Sequence, residues 1–170
     1  MENGMSILAF YRGEKPDSSG RKIDEIWGFD RNNLELVHNF IQWIFPLPEA
    51  SQYNPDAPLL DPETISVFRQ DADLQDRMLR SLDVILAFLE LKVSGDQIVR
   101  TGDDLHWMTW QNHNFKRLTR ILRCLTICGL KPFAEALYRC LAGLYVDHHQ
   151  IIDETTLKFW KDAIKLEVGS

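Results

Sequence analysis

From Asp30 onward, short apolar blocks alternate with Pro, Gly and Asp, and the apolar positions recur mostly at spacings of three and four. That period is the mark of helices with one buried face; little of the chain alternates at period two, as a strand would. Asp30 reads as an N-cap for a helix over 31–45, which Pro46 and Pro48 end by fixing φ and removing donors. Asp61-Pro62-Glu63 supplies a cap, a proline at N1 and an acid in the first turn, so a short helix runs to about Gln70. Asp71 or Asp73 opens the next, whose Leu74, Met78, Leu82, Ile85 and Leu89 fall on one face. The stretch "KVSGDQIVRTGDDLHW" breaks the pattern, with Ile98 and Val99 as a small extended piece. A helix ending at Gly129, one starting at Pro132 and one capped by Asp153 complete the chain. The expectation is all-α: a compact bundle of roughly six helices with short proline- and glycine-broken connectors. It forms one domain over 1–170, with the polar stretch 12–24 as a mobile loop.

Length and composition agree with one well-cored domain: 170 residues, of which 45% are hydrophobic. A net charge of −6 argues against nucleic acid as the main partner, because backbone binding draws on a dense Lys/Arg face. No apolar run approaches the roughly 20 residues of a membrane span. The N-terminus has no basic leader or clear cleavage site, so no signal peptide is expected. Cys124, Cys128 and Cys140 are an odd number in apolar surroundings, which suits free thiols in a reducing cytoplasm.

Candidate chemistry centres on a repeated tripeptide. His-Asn-Phe occurs at His38–Phe40 and again at His113–Phe115. On a continuous helix, Gln42 and Phe45 lie beside His38 while Phe40 and Trp43 cover the opposite side. That helix is apolar nearly all round, which would place His38 and Gln42 in the core. In the second segment Phe115, Leu118, Ile121, Leu122 and Leu125 form an apolar stripe. His113, Arg117, Arg120 and Cys124 form another, while Asn114 falls near the edge of the apolar face. A His-Arg-Arg ridge repels itself unless something answers it. Either acids such as Glu35, Asp83 or Glu90 close a buried network around His38, Gln42, His113 and Asn114, or the ridge binds a carboxylate or phosphate through the arginine fork. Trp107 and Trp110, in "HWMTW", precede that helix and either plug the domain's end or wall a ligand site.

Other chemistry is poorly supplied. Cys124 and Cys128 at i and i+4 match no zinc-module spacing, and three helical turns separate His113 from Cys124, too far for a nucleophile–base pair. "SGDQIVRTGDD" lacks the spacing and lysine of a phosphate loop. No cofactor or metal is expected.

Several stretches carry a resemblance: "FYRG" at Phe10–Gly13, "LELVHNFIQWIFPLPEAS" at Leu34–Ser51, "DPETISVF", "LRSLDVILAFLEL", "HNFKRLTRIL" at His113–Leu122, and "TLKFWKDAI". Together they resemble the conserved region of the opioid growth factor receptor family over nearly the whole chain. The resemblance implies a helical domain. Vertebrate members are described as intracellular, nucleus-associated receptors for the opioid growth factor, an enkephalin pentapeptide. It brings no catalytic residues. The resulting expectation is a non-catalytic module binding a peptide or protein segment with an acidic group. Its groove would be lined by His38, Gln42, Trp43, Trp110, His113, Asn114, Arg117 and Arg120. The alternative is an enzyme or small-molecule site in which Arg117 and Arg120 hold a phosphate or carboxylate and a histidine moves a proton.

Overall fold

The computed structural model describes residues 2–165, and among these the chain forms nine helices and one two-stranded antiparallel sheet. The expected six-helix all-α bundle is therefore corrected: the chain is predominantly helical, with more and shorter helices and a hairpin. Two compact units divide it, Met1–Ile85 and Leu86–Ser170.

The first unit opens with α1 (Glu2–Tyr11), a helix absent from the expectation. Its signal was the i, i+3, i+4 set Ile7, Phe10 and Tyr11, all fully buried. Gly13, at φ +75°, turns the chain away after it. The stretch 12–24, expected as a loop, is organised around Asp17, whose Oδ1 accepts from the Ser19 and Arg21 amides at 2.9 Å each. The Arg21 guanidinium closes on the same buried carboxylate at 2.7 Å. α2 (Ile23–Trp27) follows, then α3 (Arg31–Leu36), whose Asp30 cap accepts from Asn33 N at 2.8 Å.

The helix expected over 31–45 does not run through. Val37 is extended (φ −84°, ψ 125°), and the helix resumes only as the four-residue α4 (Ile41–Ile44). An apolar pattern on every side cannot be served by one helix face. The break lets Leu34, Phe40, Ile41, Trp43, Ile44 and Phe45 all be buried while Leu36, His38 and Asn39 come to the surface.

α5 (Pro62–Gln70) starts as its sequence dictates: Asp61 accepts from Thr64 N at 2.7 Å and Pro62 occupies the first turn. Asp71 caps α6 (Ala72–Phe88) through Asp73 N and Leu74 N, and Leu74, Met78, Leu82, Ile85 and Leu89 are all buried, as their spacing predicts. The Trp27 indole N–H donates to Ser81 Oγ at 2.9 Å, and Ser81 Oγ lies 3.0 Å from the Tyr11 hydroxyl, which reaches the Ile44 carbonyl. Proton accounting gives one direction along this chain, indole to serine to tyrosine to carbonyl. It ties α1, α2, α4 and α6 together through a serine with no exposed surface.

In the second unit the break after α6 is a β-hairpin, β1 (Leu91–Ser94) and β2 (Gln97–Arg100), in the register Leu91↔Arg100, Val93↔Ile98 and Ser94↔Gln97. The extended piece expected at Ile98 and Val99 is its second strand. α7 (Asn114–Ile127), α8 (Lys131–Asp147) and α9 (Glu154–Ala163) pack on one another, and β2 packs on α8. Gly129 adopts φ +91°, and Leu130 N donates to the Leu125 carbonyl at 2.8 Å, closing α7 with a Schellman-type turn. The core is aromatic: Phe115 stands edge-on to Trp107 (6.2 Å) and Trp160 (5.7 Å). Both indoles are buried yet satisfied, Trp107 on the Leu89 carbonyl and Trp160 on that of Phe115.

Candidate functional site

The eight residues expected to line a groove divide between the two units: His38, Gln42 and Trp43 in the first, Trp110, His113, Asn114, Arg117 and Arg120 in the second. In the first unit the expectation of a buried His38 fails, because the helix break exposes it in the linker between α3 and α4. Gln42 is buried as expected, 5% exposed on α4, and its Oε1 accepts from Asn54 Nδ2 at 3.3 Å. The same amide reaches the Asn39 carbonyl at 3.5 Å, so Asn54 pins the linker to α4. Trp43 is buried edge-on against Phe10 at 5.1 Å. These contacts are packing contacts, and Gln42 and Trp43 present little surface to a ligand.

The second unit builds a denser arrangement at the head of α7. Asn112 Oδ1 accepts from Asn114 N at 2.9 Å, relieving one of the unsatisfied first-turn amides. Asn114, 1% exposed, offers its own Oδ1 to Arg117 Nη1 at 3.2 Å. Arg117 is itself 7% exposed, while His113 and Arg120 are half-buried. The stripe of His113, Arg117, Arg120 and Cys124 is thus largely sunk into the fold, and α7 is buried on two sides. The repeated tripeptide does two different jobs. Its phenylalanine is core in both copies, Phe40 against Phe29 at 5.5 Å and Phe115 between two indoles. Its asparagine is exposed at 39 and buried at 114.

Trp110 behaves unlike its neighbours. It is 60% exposed, whereas Trp107, three residues earlier, has no exposed surface. Its turn is well tied: Asn112 N donates to the Thr109 carbonyl at 3.2 Å and Asn112 Nδ2 to Thr109 Oγ1 at 2.9 Å. Gln111 within it holds φ +53°, a left-handed conformation that costs a side-chain-bearing residue about 1–2 kcal/mol. Three residues of chain span at most about 11 Å, so Trp110 stands close to His113 and the first turn of α7. That helix carries Lys116, Arg117, Arg120 and Arg123 and no acid along its length. Cations at a helix N-terminal half add to the positive end of its dipole instead of opposing it.

Cys124 and Cys128 are fully buried, and burial, followed by the hydrogen bond with Cys128, pushes the Cys124 thiol well up. Burial also raises that of Cys140, against the pull of Arg100. Sequence reasoning passed over Asp96, Glu135 and Arg139, which line a groove between the hairpin and α8. The available signal was Gly95-Asp96 between Lys-Val-Ser and Gln-Ile-Val, a two-residue hairpin turn.

The sequence pattern of the opioid growth factor receptor conserved region matches residues 1–168. The human opioid growth factor receptor is 31% identical over 142 residues, covering 78% of this chain and 21% of that protein. The rat opioid growth factor receptor-like protein 1 is 29% identical over 179 residues, covering 96% of this chain and 36% of its own length. A like-named frog protein from Xenopus tropicalis is 30% identical over 148 residues, 81% of this chain and 28% of that one. This chain thus spans about a fifth to a third of the relatives it matches. No solved structure matches it. Among the described residues no helix is long and apolar enough to cross a membrane. With a match over almost its whole length, the chain belongs to the opioid growth factor receptor family.

Proposed function

We propose that this chain is a non-catalytic binding module and that the head of α7 recognises a peptide or protein segment carrying a carboxylate. The observation that carries this reading is Trp110, held out to solvent on a tied and locally strained turn at the start of a helix with four cations and no acid. Backbone strain such as that of Gln111 is costly to keep and clusters where ligands are clamped, and the exposed indole beside it offers a large apolar contact. In this reading Trp110 supplies the apolar contact. The N-terminal half of α7 supplies the charge through Arg120, with Arg117 and Asn114 as a buried buttress that fixes the geometry beneath it. His38, Gln42 and Trp43 are left out, Gln42 and Trp43 as packing residues and His38 as a surface residue of the other unit.

The relatives' name, opioid growth factor receptor, points to a peptide ligand for those proteins. The corresponding probe is an enkephalin pentapeptide, used as the free acid and as the C-terminal amide, with indole fluorescence as readout. The free acid is expected to bind about fivefold or more tightly than the amide, since the charge pair accounts for the difference. Trp110→Ala removes most of the affinity, and Arg120→Ala removes the distinction between acid and amide. Equal affinity for the two forms, or undiminished binding to Trp110→Ala, overturns this assignment.

A further inference from the structure

The hairpin and α8 of the Leu86–Ser170 unit build a second surface, with chemistry independent of α7. Gly95, at φ +63°, and Asp96 form the tight turn between β1 and β2, and Val93 and Ile98 are cross-strand partners with their side chains on one face. On α8, Pro132, Glu135, Ala136 and Arg139 recur at i, i+3, i+4 and i+7 and share a face. Arg139 Nη2 donates to the Asp96 carbonyl at 3.2 Å, tying the hairpin turn to that face. Between them lies a groove of about 150 Å³. Val93, Ile98, Pro132 and Ala136 give it an apolar lining, and half-buried Phe133 adds an aromatic ring. Its charged groups are the Asp96 and Glu135 carboxylates and Arg139. Neither carboxylate forms an ion pair or side-chain hydrogen bond with another described residue, whereas the Arg139 guanidinium is engaged on the carbonyl.

We propose that this groove receives a single arginine side chain presented by a partner protein. Its volume falls below the roughly 300–1,000 Å³ of pockets that enclose drug-sized ligands, and it suits one long side chain. A purely apolar occupant would strip water from two carboxylates and give nothing back. An anionic one would meet two carboxylates against one guanidinium that is already held on the Asp96 carbonyl. An arginine satisfies both halves: its methylene stem covers the apolar lining, and its planar guanidinium offers paired donors to carboxylates and a face to Phe133. The ligand proposed here is opposite in charge to the one proposed for α7, so the two proposals call for different segments.

The test is an amide chemical-shift titration of the isotope-labelled full chain with N-acetyl-arginine amide, and with the citrulline amide as its uncharged isostere. Arginine amide is expected to produce saturable shifts confined to residues 93–98 and 132–139, with citrulline amide about fivefold weaker. The Asp96→Asn/Glu135→Gln variant keeps the Asp96 carbonyl that anchors Arg139 and should lose about the same factor for arginine with its spectrum otherwise unchanged. Equal shifts from citrulline amide, undiminished binding to the double variant, or no saturable shift at tens of millimolar would each overturn the proposal. None of these outcomes bears on Trp110.

Discussion

Gln111 condenses the choice between architecture and recognition into one residue. Its φ of +53° is a conformation that glycine adopts freely and that a side-chain-bearing residue adopts under strain. If the turn existed only to connect Met108 to α7, glycine would serve it better. Gln111→Gly is therefore expected to raise stability by about 0.5–1 kcal/mol in denaturant melts, the relief of strain exceeding the added chain entropy. The same change loosens the turn that presents Trp110, so pentapeptide binding weakens as stability rises. A variant that gains stability and keeps full binding would show that the strain serves nothing at this surface. Tyr11 and Asn114 illustrate the other case, polar groups buried for architecture: one ends a hydrogen-bond chain on a carbonyl, the other steadies a buried arginine.

Among the elements, α5 and α9 are the most transparently encoded. Asp61 and Asp153 each accept the amide of the residue three positions on, at 2.7 Å, and those hydrogen bonds hold both carboxyls below their ordinary value. Replacing either aspartate by alanine should cost about 1 kcal/mol of stability by thermal or urea melts. The pH dependence has a definite sign. A carboxyl with a depressed folded-state pKa contributes stability that is present above its unfolded value, near pH 4, and lost as pH falls through the lower folded value. Each alanine variant should therefore show a smaller loss of stability between about pH 5 and pH 2 than the parent. An identical acid profile would mean that the caps add nothing beyond their local geometry. By contrast, α3 and α4 show how far periodicity misleads. A segment apolar on all sides implied one buried helix, but it forms two short helices with an extended break at Val37 between them.

On the scale of the whole molecule, a net charge of −6 coexists with a helix that carries four cations and no acid. The proposed binding of an acidic ligand to that helix would be local, so it should be screened by salt even though the chain as a whole carries net negative charge. Raising ionic strength from about 0.05 to 0.5 M shortens the Debye length from about 14 to 4 Å and should weaken the pentapeptide acid several-fold while leaving its amide nearly unchanged. A parallel loss for both forms would place the recognition in apolar contact alone. The two tripeptides, alike in sequence, belong to different compact units.

By itself, the sequence determined the caps at Asp30, Asp61 and Asp153, the buried stripes of α6 and α7, the stop at Gly129 and the family. These are local or strictly periodic signals, carried by hydrogen bonds three residues apart or by one face of one helix. Only the tertiary structure decided that residue 38 is exposed, that Arg117 is sunk beside Asn114 while Trp110 stands out, and that "VSGDQI" folds back against α8. Each of those outcomes depends on which of several equally apolar surfaces is covered by a distant element. Chain-local free energy does not distinguish among them; burial against a specific neighbour does.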